Sequence, residues 1–167
     1  TGYRDTFRCA PLMKGARNAH DIIAIDAIAT VDSGLEFCEQ FLMRDLNKAY
    51  AGFASPYTCR ARVAATAGEG SCVGGGVGSG SDASIATGLW GCGVFGGNVV
   101  LKFCQQWIAM SAAVAADTNT TDIGHMYFST FGDKMLGCKL QQLVDLMHSA
   151  RLNAGQLWRL VRNHCGG

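Results

Sequence analysis

The residues of this chain whose types and spacing best suit chemistry are 88–97, GLWGCGVFGG, where five glycines are interleaved with Trp90, Cys92 and Phe95. Missing side chains let a backbone approach an anion closely. If a helix follows, free N–H groups and the positive end of its dipole face that anion. Gly91-x-Gly93-x-x-Gly96 also matches the letters of the dinucleotide fingerprint. That fingerprint needs an acidic residue about 20 residues on, near the end of the next strand. Asp117 has the spacing but falls at an expected helix end, and Asp133 falls at the right strand end but too far along. The bland alternative is a tight turn with glycines for helix–sheet packing and Trp90 and Phe95 in the core. Phe95, set among glycines at a helix mouth, tips the reading towards a site, because it is placed to stack on a sugar or base.

Other chemistry-bearing residues are sparse in pattern. The eight cysteines, Cys9, Cys38, Cys59, Cys72, Cys92, Cys104, Cys138 and Cys165, form no C-x-x-C pair, zinc spacing or compact disulfide framework. They read as free thiols in a reducing compartment, with Cys92 the one worth testing as a nucleophile. His20, His125, His148 and His164 have no ligand spacing. No metal or cofactor is expected. The net charge is +1 with no basic stripe, so no direct DNA or RNA binding is expected. No apolar run of bilayer-spanning length and no signal-peptide pattern stand out, so no membrane partner is expected either.

Elements must hold the glycine stretch in place, and 167 residues with 49% hydrophobic content suit one domain. Residues 21–31, DIIAIDAIATV, read as a buried strand, although periodicity alone leaves a helix open. Ser33 and Glu36 form a capping-box pattern before a helix whose apolar stripe is Leu35, Cys38, Leu42, Leu46, Ala49 and Phe53. Residues 54–83, with Pro56 and GEGSCVGGGVGSGSD, read as a low-complexity surface insertion. A short strand is expected at 84–87, then the glycine stretch, then a well-buried helix capped by Asn98. HMYFSTF at 125–131 reads as a strand. Asp133 caps a helix with Leu136, Leu140, Leu143 and Met147 on one face, and Asn153 caps a last one carrying Leu157, Trp158 and Val161. The order strand, loop, helix, strand, helix, helix implies a βαβ unit and an α/β class.

ATGLWGCGVFGG resembles the poly(ADP-ribose) glycohydrolase family, whose members carry a similar stretch. TGYRDTFR, DIIAIDAI, RDLNKAYAGF and YFSTFGD resemble further family segments in the same order, so the resemblance covers nearly the whole chain outside 54–83. It implies a macrodomain-like α/β fold, a mixed sheet flanked by helices, here an incomplete domain: the C-terminal part of a catalytic domain that hydrolyses ribose–ribose bonds and releases ADP-ribose. By position, Tyr3 would stack on adenine. Leu89, Trp90, Gly91, Cys92, Gly93 and Val94 would form the diphosphate-binding loop. Phe95 would pack on a ribose and Phe131 would border the ligand. Without the resemblance, Phe131 reads as core and Trp90 as packing. Leu89 departs from the Asn of better-known members, which removes a polar contact. Poly(ADP-ribose) or ADP-ribosylated proteins are the implied partners, nucleus and cytoplasm the implied location.

Glycosidic cleavage needs a proton donor and stabilisation of an oxocarbenium-like transition state. The resemblance implies adjacent glutamates in a Gln-Glu-Glu motif after a triple glycine. This chain has three glutamates, Glu36, Glu39 and Glu69, none adjacent, and Glu36 and Glu39 read as a solvated helix face. Gly74-Gly75-Gly76 falls in the insertion and precedes no such motif. No catalytic residue is therefore expected within these residues, and the chain, which starts at Thr1 rather than Met, is expected to be an inactive fragment. Two rivals are a non-catalytic ADP-ribose-binding or scaffolding protein and an NAD-dependent oxidoreductase.

Overall fold

The computed structural model describes residues 23–29, 34–66, 84–116 and 125–165. Among these, a 3-10 turn η1 (Leu35–Phe37) leads into α1 (Glu39–Thr66), followed by β1 (Ile85–Thr87), α2 (Val99–Ala116), β2 (Met126–Phe128), α3 (Lys134–Ser149) and α4 (Ala154–Cys165). The two strands pair in parallel, Ile85 against Met126 and Thr87 against Phe128, with α2 as the crossover between them. The expected βαβ unit is present, in a helix-rich structure whose described residues hold a two-stranded sheet. That is the content of an incomplete α/β domain.

Helix α2 is the centre of the packing. One side meets Ala49 and Phe53 of α1 and Ile85 of β1 through Ala109, Met110 and Ala113. The other meets Leu140 and Met147 of α3 and Leu157 of α4 through Phe103, Cys104 and Ile108. Buried on both flanks, α2 is apolar nearly all round. At 18 residues with mean hydropathy 1.4 it is long and apolar enough to cross a membrane by length and composition. The sequence reading overlooked this, and the packing shows where that apolarity goes: into contacts with α1, α3 and α4. The caps fall where expected. Asn98 Oδ1 accepts from Leu101 N, Asp133 Oδ1 from Leu136 N, and Asn153 and Gln156 cap each other reciprocally at 2.9 Å.

Three expectations need correction. Residues 23–29 are not a strand. Their burial alternates as a strand's would, with Ile23, Ile25 and Ala27 half-buried and Ala24 and Asp26 exposed, but among the described residues none joins them in a ladder. They lie on α1 instead, so close that a Cβ on Gly52 would sit 2.9 Å from Ile23 Cγ2. Asp26 pins them there through Arg44 and Lys48, the latter at 2.6 Å. The Lys48 hydrogen bond holds the Asp26 carboxyl below its ordinary range. Second, α1 begins at Glu39, not at a Ser33 cap, which lies outside the described residues. Leu35 and Cys38 therefore stay exposed, while Leu42, Ala49 and Phe53 are buried. Third, α1 runs past Pro56 to Thr66, so the insertion expected from residue 54 is helical at its start; residues 67–83 lie outside the described residues. An interior proline removes its own N–H bond and crowds the carbonyl four residues back, at a cost of about 3 kcal/mol, yet α1 continues through Pro56.

Candidate site at the carboxyl ends of the strands

In a parallel sheet, ligands bind beyond the carboxyl ends of the strands. Two loops meet there. One is the glycine stretch leaving Thr87; the other, residues 129–133, leaves Phe128. A Cβ on Gly88 would lie 3.0 Å from the Phe131 ring, so the two loops touch.

The glycine loop is tied down from beneath. Gly91 has φ +75°, and a side chain there or at Gly97 would strike the Lys102 chain at 3.3 or 3.1 Å; at Gly97 it would also meet the Gly91 carbonyl at 2.7 Å. Lys102 is 1% exposed. Its ammonium pairs with Asp45, buried likewise, and stands 5.2 Å from the centre of the Trp90 ring. Arg44 adds a second bond to Asp45 at 2.8 Å. Trp90 donates its indole N–H to the Ile25 carbonyl at 3.3 Å, joining the loop to the extended segment. Gln106, fully buried, accepts from Thr87 Oγ1 and donates to the Gly88 carbonyl. A buried Lys–Asp pair is costly to break, because removing one partner strands the other charge.

The top of the loop is open. Trp90, Cys92, Gly96 and Gly97 use their N–H groups within the loop. The N–H groups of Gly93 and Val94 have no partner among the described residues. Val94 is fully exposed, and nothing lies within 4 Å of a Cβ placed on Gly93. Phe95 is 44% and Phe131 78% exposed. Phe131 is not the core strand residue that the aromatic run suggested. Strand β2 ends at Phe128, and Phe131 sits in a turn at φ +53°, a conformation unfavourable for a large side chain. Backbone donors flanked by two exposed rings suit an anionic group carrying sugars or bases.

Of the residues singled out from sequence, Leu89, Trp90, Gly91, Cys92, Gly93, Val94, Phe95 and Phe131 come together at this end of the sheet. Trp90 and Gly91 serve beneath the loop rather than at its surface. Tyr3 lies outside the described residues. Cys92 is a poor nucleophile: burial, with Glu36 adding and Lys102 opposing, pushes its thiol from an ordinary 9.0 up to about 11, and its Sγ faces the Trp90 carbonyl at 3.5 Å. Asp133 is spent on capping α3, so it does not complete a dinucleotide fingerprint; Asp117 lies outside the described residues.

Sequence reasoning missed Glu36, Asp45, Lys102 and Gln106. Glu36 is not on a solvated face. It is 7% exposed, and its carboxylate accepts from Asn98 N at 2.8 Å, at the start of α2. Glu39 is exposed and pairs with Arg162 at 2.9 Å. The signal for Lys102 and Gln106 was present: a cation and an amide within an otherwise apolar helix must find buried partners. Among the described residues no group of His, Cys, Asp and Glu could hold a metal ion. A cavity of about 920 Å³ opens between α2, β2 and α3, lined by Phe103, Trp107, Met126, Phe128, Leu140 and Val144; Thr130 of the second loop also lines it, and no residue of the glycine loop does.

Comparison with protein families matches residues 1–137 to poly(ADP-ribose) glycohydrolase, macro domain fold. Among curated proteins the chain is similar to poly(ADP-ribose) glycohydrolase 2 of Caenorhabditis elegans, 27% identical over 98% of this chain and 31% of that protein. It is 28% identical to poly(ADP-ribose) glycohydrolase 1 of the same organism, over 86% of this chain and 15% of that protein. Poly(ADP-ribose) glycohydrolase 1 of Arabidopsis thaliana is 38% identical over 48% of this chain and 13% of its own length. The chain thus spans less than a third of the length of these relatives.

Proposed function

The chain belongs to the poly(ADP-ribose) glycohydrolase family, and from that premise we propose that it supplies the ADP-ribose-recognising part of an enzyme that hydrolyses the ribose–ribose bonds of poly(ADP-ribose). The observation that carries this reading is the loop crown, where the unpartnered N–H groups of Gly93 and Val94 are flanked by the exposed rings of Phe95 and Phe131. The donors suit a diphosphate, and the rings suit the ribose and base on either side of it. Leu89 offers no side-chain donor, so recognition of the diphosphate rests on the backbone.

Cleavage requires a carboxylic acid to protonate the leaving oxygen. Glu36 is committed to α2 and Glu39 to Arg162, and Glu69 lies outside the described residues. In this proposal the acid comes from a segment of the parent protein beyond these 167 residues. The same facts favour a second reading, binding of ADP-ribose without cleavage. Two measurements separate them. Titration calorimetry of residues 1–167 with ADP-ribose is expected to show binding, and absence of binding by a folded preparation sinks both readings. Release of ADP-ribose from the polymer is expected from the full-length protein and not from residues 1–167. A full-length protein that binds but does not cleave supports the second reading.

A further inference from the structure

The N-terminus of a helix is where an anion binds by default, yet here the protein takes up part of that position itself. Asn98 Oδ1 takes Leu101 N, Glu36 Oε2 takes Asn98 N at 2.8 Å, and Gly97 N is bonded to the Gly91 carbonyl at 2.9 Å. Glu36 comes from η1, on the other side of the loop from α2 in sequence, and it is more than nine-tenths buried. We propose that Glu36 is a positioning residue for anion recognition: it closes part of the mouth of α2 with its own carboxylate, anchors the Gly97–Asn98 hinge to η1, and so leaves the crown donors of Gly93 and Val94 as those offered to a diphosphate. This rests on the ADP-ribose reading above. Glu36 touches no ligand in this scheme; it acts through the loop. The crown donors meet the diphosphate, which adenosine lacks, and adenosine can reach the loop only through Phe95, so the effect of Glu36 falls more heavily on ADP-ribose than on adenosine.

The test uses the full-length protein and two probes, ADP-ribose and adenosine, titrated by calorimetry. If the unaltered protein does not bind ADP-ribose, the functional reading fails and this inference with it. If it does, Glu36→Ala is expected to weaken ADP-ribose about tenfold, the scale of one hydrogen bond to a charged group, and to weaken adenosine clearly less. Glu36→Gln keeps an oxygen that can accept from Asn98 N and is expected to restore ADP-ribose binding to within about threefold. Equal losses for both probes, failure of Gln to restore, or undiminished ADP-ribose binding in Glu36→Ala each overturn the inference while the functional reading stands. Should Glu36→Ala not fold, Glu36→Asp takes its place with the same expectations, because its carboxylate is drawn back by one methylene.

Discussion

Phe131 is the residue where stability and recognition pull apart. It is 78% exposed at φ +53°, so the fold gains little from its ring and bears the strain of its backbone. The left-handed region costs an L-residue about 1–2 kcal/mol, partly offset in a substitution by the larger chain entropy of glycine. Phe131→Gly is therefore expected to raise unfolding stability by about 0.5–1 kcal/mol in urea melts. The same change is expected to weaken ADP-ribose about tenfold, by loss of a stacking surface. A fall in stability would show that the ring packs on something that holds the turn. Cys92 gives a second residue-scale expectation. Its thiol is pushed up to about 11, so at pH 7.5 it should alkylate with iodoacetamide more slowly than the exposed Cys38 and Cys138. Peptide mapping that finds Cys92 modified first would contradict this.

At the scale of elements, α1 and α2 are joined beneath the loop by the pair of Asp45 and Lys102. Lys102→Met leaves Asp45 buried with Arg44 alone and is expected to cost about 3 kcal/mol or more. The double variant Asp45→Leu, Lys102→Met is expected to be more stable than Lys102→Met alone, because no charge is stranded. Chemical denaturation of Asp45→Leu, Lys102→Met and the double variant decides it; a double variant that loses the sum of both singles would mean that the two side chains are not coupled. What was legible in the sequence follows from the range of each interaction. The caps of α2, α3 and α4 and the glycine loop are local, encoded within four residues or one turn, and all were readable. Glu36 imitated a local capping box, but its partner Asn98 is 62 residues away, and nothing near Glu36 announces it. Residues 23–29 carry a strand's alternation, yet a strand is defined by a neighbour, and alternation reports only that one face is covered. Phe131 was hidden because β2 stops three residues before it, and aromatic content does not mark where a strand ends.

For the whole molecule, the buried thiol of Cys104 and the half-buried one of Cys92 give stability a dependence on alkaline pH. Burial raises Cys104, like Cys92, from 9.0 to about 11. Between those values the unfolded chain loses thiol protons that the folded one keeps, so stability is full below pH 9 and falls as pH rises towards 11. Urea melts at pH 8 and pH 10.5 are expected to show the loss, and Cys104→Ala to reduce its slope whatever its effect on the absolute value. A flat profile would count against burial of these thiols. The contact between Glu36 and Asn98 has a different consequence for the molecule. Asn98 is exposed at the start of a helix, where amide protons ordinarily trade with solvent deuterium within moments. Held by a carboxylate from the far side of the loop, this amide should instead exchange slowly, at a rate set by how often η1 lifts away from α2. One proton thereby becomes a clock for the opening of the loop's foundation, readable in solution without any ligand.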